Sequence, residues 1–274
     1  MKILVIFGSN SDANIYEPLK ARLLSEGHEL DFRMISVHRS PELLDKELST
    51  VDAQAVIAGA GLAAHLPGIV AAKLLIPVFG IPCSAAIGGV DSFFSIAQMP
   101  FGIPVMATAP DQYNAAADAI LRWSRLDLQF TFDRFNIVVE RHKRGQVEGL
   151  LARAEKIAEK TKIDLHLVDR PQENEVNICL ADVNSTDPEC PLPYGPPVKS
   201  SEELRLFVPV LNEQAYRDPY SGVAVARRVN SVPNGLWTGI NNIGNAMLFS
   251  LQLANANKMH SPFLTNAKKG YIHA

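Results

Sequence analysis

The chain has 274 residues, of which 47% are hydrophobic and 20% are charged, and this is the composition of a packed globular protein. The formal net charge of -3 and the pI near 6.2 argue against a broad basic surface for nucleic acid. Three widely separated cysteines, Cys83, Cys179 and Cys190, indicate neither a disulfide framework nor a thiolate zinc site. We therefore expect a small-molecule partner and no nucleic acid.

Nothing in the sequence predicts export or membrane insertion. The first residues, MKILVIFGSNSD, hold an apolar run that is too short for the core of a signal peptide. Later stretches fall short of the roughly 18 uninterrupted apolar residues of a membrane span. We expect a cytoplasmic protein that does not bind membranes.

Short apolar runs alternate with helical patterns through the first half of the chain. Parallel strands need crossover connections, which are usually helices, so this alternation predicts an α/β fold with a flavodoxin-like, doubly wound parallel sheet. Pro77 cannot donate a hydrogen bond to a ladder, and we expect it at a strand start, an edge or an irregularity. The predicted strands lie at 2–7, 31–37, 53–60, 75–82 and 104–109, and the predicted helices at 14–27, 41–49, 67–75, 90–99 and 111–125.

The second half of the chain resembles the first. Residues 74–79 align with residues 206–211 at an offset of 132, which pairs Pro77 with Pro209. Two later matches pair residues 89–102 with 222–235 and Asn114-Ala115 with Asn245-Ala246. The first of them keeps the glycines and the proline that shape turns, and differs at most of the polar positions between them.

We interpret this similarity as an internal duplication, with a catalytic domain at 1–130 and a shortened, degenerate repeat at 131–274. The boundary is expected near 127–135. Asp169 stands opposite His38 in the alignment, and the second copy has no glycine-rich loops. We expect this copy to be structural. Its predicted elements are strands at 136–140 and 164–169, a helix at 146–160 and a proline-rich loop at 187–200.

Three loops of the first copy, each following a predicted strand, carry the candidate functional residues. GSNSD at 8–12 can receive a phosphate on its N–H groups and hydroxyls, although helix capping by Ser11 or Asp12 explains the motif equally well. SVHRSP at 36–41 sets a titratable histidine beside an arginine fork, unless the histidine is incidental. AGAGLAAHLPG at 58–68 lets a planar ligand approach the backbone, or else serves tight packing of a helix on the sheet.

A 2-1-3 strand order brings the three loops together at the crevice where open α/β sheets bind ligands. This convergence predicts a phosphorylated ligand with a planar, neutral part. Asp91 and Ser92 follow the fourth strand, and we interpret both as helix caps.

The segments GSNSD, SVHRSP, AGAGLAAHLPG and VDSFFSIAQMPFGIPV together resemble the PurE family, over roughly residues 1–125. The resemblance implies octameric assembly and the interconversion of two carboxylated aminoimidazole ribonucleotides through trapped CO2, without metal, ATP or organic cofactor. It also implies a role for each matching residue: His38 as general acid and base, Ser11, Ser36 and Arg39 at the 5'-phosphate, Asp12 at the ribose, and Gly8, Ser9, Ala60, Gly61 and His65 along the base and the carboxylate.

Arg39 and the AAHLPG segment resemble the mutase branch of that family, which implies N5-carboxyaminoimidazole ribonucleotide as the substrate in de novo purine biosynthesis. The alternatives are direct carboxylation of aminoimidazole ribonucleotide by CO2 and a non-catalytic, nucleotide-binding pseudoenzyme. Leu62, Ala13 and Phe101 depart from the family pattern and are expected to alter pocket shape or subunit contacts. We also expect a homo-oligomer in which four tandem chains, with one active site each, imitate an octamer.

Overall fold

The computed structural model describes residues 1–126, 134–183, 204–232, 234–255 and 258–272. In the first half, helices follow the strands as the sequence predicts. The elements are β1 (Lys2–Phe7), α1 (Ala13–Ser25), β2 (Glu29–Met34), α2 (Pro41–Leu48), β3 (Ala55–Ala60), α3 (Leu66–Lys73), β4 (Val78–Pro82), α4 (Val90–Ala97), β5 (Met106–Ala107) and α5 (Tyr113–Arg125).

The second half begins with the same alternation and ends with an additional helix. Its elements are β6 (Arg134–Val138), α6 (Glu148–Thr161), β7 (Asp164–Val168), β8 (Val176–Asp182), β9 (Leu204–Val210), α7 (Glu213–Arg217), α8 (Ser221–Asn230), β10 (Leu236–Trp237), α9 (Ile243–Leu253) and α10 (Ser261–Lys268).

These strands form one sheet in the order β2-β1-β3-β4-β5-β10-β9-β8-β6-β7. Its first five strands have the 2-1-3-4-5 order of a flavodoxin-like sheet, and each neighbouring pair is parallel. This order confirms the predicted fold class. The last five strands have the same relative order, β7-β6-β8-β9-β10, and are again parallel to one another.

The two half-sheets meet at a short antiparallel pair, in which Ala107 of β5 lies opposite Trp237 of β10. An antiparallel junction between corresponding strands relates the halves by an approximate two-fold axis, as in a symmetric dimer. Trp237 is fully buried and stacks on Phe207, with 4.8 Å between the ring centroids. The junction closes the strand edge that each half would otherwise leave open.

Both faces of the sheet are covered, and alternating strand residues point to opposite faces. Ile3, Val5 and Phe7 pack in one buried cluster with α1, α5, α6 and α9, whereas Leu4 and Ile6 pack in the other with α2, α3, α4 and α8. Burial on both faces explains why β1 reads as a continuous apolar run. Among the described helices, none is both long and apolar enough to cross a bilayer.

Backbone hydrogen bonds correct one part of the sequence alignment. The N–H groups of Asp111 and Asn241 donate to the carbonyls of Pro82 and Pro209, each at 2.8 Å. Both residues have a left-handed backbone, with φ of 61° and 56°. Their side chains accept from the N–H two residues beyond each proline, at 2.8 and 3.0 Å. Pro209 therefore occupies the position of Pro82, and its alignment with Pro77 is wrong. Pro77 lies directly before β4, as expected for a strand start.

The second half is shorter than the first between its second and third strands. Residues 169–175 contain no helix, whereas the first half has α2 at this place. Asp169 directly follows β7, but His38 lies four residues beyond the end of β2, so Asp169 does not occupy the position of His38. The domain boundary at 130/131, the loop at 187–200 and Cys190 lie outside the described residues.

Asn245 of α9 binds the second half to the first. Its Nδ2 donates to the carbonyls of Met99 and Pro100, at 3.2 and 3.0 Å. Its Oδ1 accepts from the N–H of Gly102 at 3.0 Å. Asn245 is 1% exposed, and its bond with the Gly102 N–H is buried, whereas its bonds with the two carbonyls are partly buried.

We predict that Asn245→Ala lowers the free energy of unfolding by about 1–3 kcal/mol, because the buried N–H of Gly102 and the partly buried carbonyls of Met99 and Pro100 lose their partner. Urea denaturation followed by circular dichroism measures the change. Asn230→Ala is the matched control, since Asn230 is exposed and its amide donates to the carbonyl of Ala226 within α8. Equal denaturation midpoints for the two variants would contradict the role of Asn245.

Candidate functional site

The loop after β1 is held in shape by its own serines. Ser9 accepts hydrogen bonds from the backbone N–H and the hydroxyl of Ser11, at 3.2 and 2.8 Å. Ser9 therefore caps the short 3-10 turn at Asn10–Asp12. Asp12 precedes α1 without making a side-chain cap. Helix capping by Ser11 or Asp12, the alternative explanation of the motif, is therefore wrong, and both side chains line a cavity instead.

The loop after β2 is a tight turn that leads into α2. The N–H groups of Arg39 and Ser40 both donate to the carbonyl of Ser36, at 3.2 and 2.9 Å. Pro41 occupies the first turn of α2, where its fixed φ is favourable. The turn leaves His38 and Arg39 exposed at the carboxyl edge of the sheet, where a guanidinium fork can receive a phosphate.

The loop after β3 places His65 beside His38. Ala63 has a left-handed backbone with φ of 49°, and its carbonyl accepts from the N–H of His65 at 2.7 Å. Nδ1 of His65 lies 2.9 Å from Nε2 of His38, and the ring centroids are 5.1 Å apart. A hydrogen bond between two imidazoles needs one N–H and one unprotonated nitrogen, so the pair can share a proton.

These loops enclose a cavity of about 390 Å³. Nine of the ten predicted site residues line it, and the tenth, His65, contacts it through His38. The three predicted loops therefore border one cavity. The nine residues are Gly8, Ser9, Ser11, Asp12, Ser36, His38, Arg39, Ala60 and Gly61.

Five further residues line the cavity. Four of them, Val37, Leu62, Ala63 and Leu66, belong to or border the predicted loops. Ala85 comes from the loop after β4 and was missed. Because β4 neighbours β3, the strand order could have indicated this loop, although alanine carries no chemical signal of its own.

Ser92 joins two of the loops. Its hydroxyl lies 2.9 Å from the carbonyl of Gly61 and 3.2 Å from that of Cys83, and the side chain is fully buried. The residue before α4 is Gly89, with φ of 76°, and no side-chain cap forms there. The interpretation of Asp91 and Ser92 as helix caps is therefore wrong, and Ser92 supports the cavity wall.

Asp12 is the residue of the cavity whose charge is most affected by its surroundings. Burial raises the pKa of its carboxyl, hydrogen bonds from Ser11 and Cys83 lower it, and repulsion by Asp111 raises it further. Burial also raises the pKa of the Cys83 thiol, which keeps the thiol protonated and able to donate. Across the described ranges, no three His, Cys, Asp or Glu side chains converge as metal ligands.

The AIR carboxylase family model matches residues 2–133 of the chain. A relative from Vibrio vulnificus (strain CMCP6), named N5-carboxyaminoimidazole ribonucleotide mutase, is 41% identical over 159 residues, covering 56% of this chain and 96% of the relative. The chain belongs to the AIR carboxylase, or PurE, family. This membership confirms the predicted resemblance.

Two more family members extend the comparison. The mutase of the same name from Escherichia coli (strain K12) is 42% identical over 131 residues, covering 44% of this chain and 73% of that protein. The bifunctional purine synthesis protein purC/E of Dictyostelium discoideum is 44% identical over 121 residues, covering 43% of this chain and 12% of that protein. The family model ends at residue 133, before the second half described above begins.

We predict that Asp12→Asn raises the free energy of unfolding at pH 7. A carboxyl whose pKa is raised by folding destabilises the folded chain when it is ionised. This loss of stability is absent at a pH low enough for the carboxyl to be protonated in both the folded and the unfolded chain. It appears as the pH rises past the ordinary pKa of the carboxyl and through the raised pKa of the folded chain. The gain from the substitution should therefore shrink as the pH falls towards about 4.

Urea denaturation at neutral and mildly acidic pH measures this difference. Asp52→Asn is the control, because the Asp52 side chain is 95% exposed and surface carboxylates contribute little to stability. A lower stability of Asp12→Asn than of the parent at pH 7 would contradict the prediction.

Proposed function

We propose that the chain interconverts N5-carboxyaminoimidazole ribonucleotide and 4-carboxyaminoimidazole ribonucleotide in de novo purine biosynthesis, in the cytoplasm. The observation that carries the proposal is the pairing of His38 with His65 in a cavity lined by the phosphate-compatible loops after β1 and β2. The names of the Vibrio and Escherichia relatives support the same reaction.

The polar residues of the cavity suit the two ends of a ribonucleotide. Arg39 offers a charged, planar fork, and Ser11 and Ser36 offer hydroxyls, so this side receives the 5'-phosphate. Asp12 accepts hydrogen bonds from the ribose hydroxyls. An added Cβ at Gly8 would meet no atom within 4 Å, so the backbone there is open to the base, which also contacts Ser9, Ala60 and Gly61.

His38 serves as both acid and base in the proposed mechanism. Protonated His38 donates a proton to the exocyclic nitrogen of the substrate. The bond between this nitrogen and the carboxylate carbon breaks at the same time, and CO2 leaves. The ring carbon then attacks the CO2, and neutral His38 removes the proton from that carbon, which restores the aromatic ring. The proton given in the first step is recovered in the second, so no external acid or base is consumed. The hydrogen bond between His38 and His65 orients the imidazole.

The free CO2 must stay beside the ring until it is attacked. Small apolar side chains in the cavity wall, at Ala60, Ala63 and Ala85, leave space without offering hydrogen bonds. Ala63 and Ala85 are exposed to solvent, so the bound substrate must cover this wall to keep water from carrying CO2 away.

We predict that His38→Asn lowers kcat by at least about 100-fold, since a positioned acid and base contributes roughly 10²–10⁴ in rate, while substrate still binds. A spectrophotometric assay with N5-carboxyaminoimidazole ribonucleotide, and separately with aminoimidazole ribonucleotide and bicarbonate, measures turnover. His166→Asn is the control, because His166 lies in the second half and bonds Asp164 at 2.8 Å.

The same assay separates the three functions that the sequence allows. Turnover of the N-carboxylated substrate alone supports the mutase. If the chain turns over only aminoimidazole ribonucleotide with CO2, and not the N-carboxylated substrate, it is instead the direct carboxylase. Binding of both without turnover of either would replace the enzyme by a nucleotide-binding pseudoenzyme.

We propose further that the second half is a degenerate copy that serves assembly, and that each chain has one active site. The repeated strand order and the junction of β5 with β10 support this proposal. In it, the second half takes a place that an identical subunit fills in single-copy family members, so four chains imitate an octamer.

We predict that the purified chain has a mass near four times the 29.9 kDa of one chain in multi-angle light scattering. The Asn245→Ala variant, whose halves are less firmly joined, should show a larger share of smaller species. A monomeric parent protein at micromolar concentration would overturn the proposed assembly.

A further inference from the structure

Asp111 does not line the cavity of the candidate site, yet it fixes the backbone that leads into it. It belongs to the loop after β5, the strand next to β4. Its N–H donates to the carbonyl of Pro82, the last residue of β4, and its Oδ1 accepts from the N–H of Ser84, both at 2.8 Å. These bonds hold the chain on either side of Cys83. The residue that follows Ser84, Ala85, lines the cavity.

The loop at 85–88 needs anchors at its ends. All four residues are exposed, and Ile87 has a left-handed backbone with φ of 38°, which is unfavourable for a β-branched side chain. Such a conformation persists only where the surrounding structure holds it. At the far end of the loop, an added Cβ on Gly89 would lie 2.9 Å from Cβ of Pro110 and 3.0 Å from Oγ of Ser84. Residues 110 and 111 therefore contact both ends of this loop.

The position of this loop determines one wall of the cavity. An added Cβ on Gly61 would lie 3.4 Å from the carbonyl oxygen of Cys83 and 3.5 Å from Cβ of Ala85. The loops after β3 and β4 are thus separated by little more than the width of a methyl group. Gly61 and Ala85 both line the cavity. A displacement of Ala85 would therefore change the space in which the ring and CO2 must react.

The second half contains the same anchor with a neutral side chain. Asn241 has the same left-handed backbone as Asp111, and its Oδ1 accepts from the N–H of Leu211 at 3.0 Å. The anchor therefore requires a side-chain oxygen but not a negative charge. Asparagine at position 111 should keep the bond to Ser84. Glycine should remove the bond and still adopt the left-handed backbone.

We propose that Asp111 is a positioning residue for the proposed reaction: its bond to the backbone of Ser84 holds the loop at 85–88 in the place where it completes the cavity wall. This inference rests on the proposed function. Asp111 also repels the charge of Asp12, and both substitutions remove that repulsion. A difference between Asp111→Asn and Asp111→Gly therefore reports the hydrogen bond rather than the charge.

Two measurements on the full chain test this proposal. Hydrogen–deuterium exchange of the Ser84 amide, followed by mass spectrometry of peptides from 83–89, should be about two- to tenfold faster in Asp111→Gly than in Asp111→Asn, the range that one hydrogen bond gives. The kcat of Asp111→Gly should be about three- to thirtyfold below that of Asp111→Asn, because small displacements around reacting atoms are costly. The KM values should agree within about twofold, because the loops that receive the phosphate and the ribose are unchanged.

Asp218→Gly is the matched control. The Asp218 carboxyl also accepts from an exposed backbone N–H, that of Tyr220 at 3.0 Å, but it does not line the cavity, so kcat should be unchanged. A parent without turnover would overturn the proposed reaction and this inference together. With an active parent, this inference alone is overturned if Asp111→Gly matches Asp111→Asn in exchange or in kcat, or if Asp218→Gly lowers kcat as much as Asp111→Gly does.

Discussion

In a parallel sheet, every strand ends at the same edge, and the candidate site depends on this constraint. The order β2-β1-β3 places the chain's first strand between the second and third, so the loops that follow them become neighbours although they are about 25 residues apart in sequence. His38 and His65 meet across 2.9 Å for this reason. Ser92 then fixes the third loop against the fourth by binding Gly61 and Cys83.

The same constraint acts on the second half, with a different result. Its strands repeat the order of the first five, so the loops after β6 and β7 also share one edge. The loop after β7 runs into β8 without a helix, and no residue there takes the position of His38. The fold provides a crevice, but the chemistry depends on the side chains that occupy it.

The sequence predicted the strands of the first half well, because buried parallel strands are continuous apolar runs. β1 matches its predicted range at both ends. The sequence pairs Pro209 with Pro77 because the residues around the two prolines are similar. The backbone hydrogen bonds that instead equate Pro209 with Pro82 exist only in the folded chain, so the sequence does not show them. Ser92 was misinterpreted for a related reason: a serine near a helix start predicts a cap, whereas its actual partners lie in distant loops.

Contacts between the halves show how the second half supports the first. Lys268 of α10 donates to the carbonyls of Ala71, at 2.7 Å, and Leu74 at the end of α3, the helix that starts directly after His65. Burial lowers the pKa of this lysine to about 8, so holding its charge there costs stability at neutral pH. Asn245 also contacts the first half, through the loop after α4. Both contacts are made to backbone groups that border the segments carrying the candidate site, so the second half supports the site from outside without adding a side chain to it.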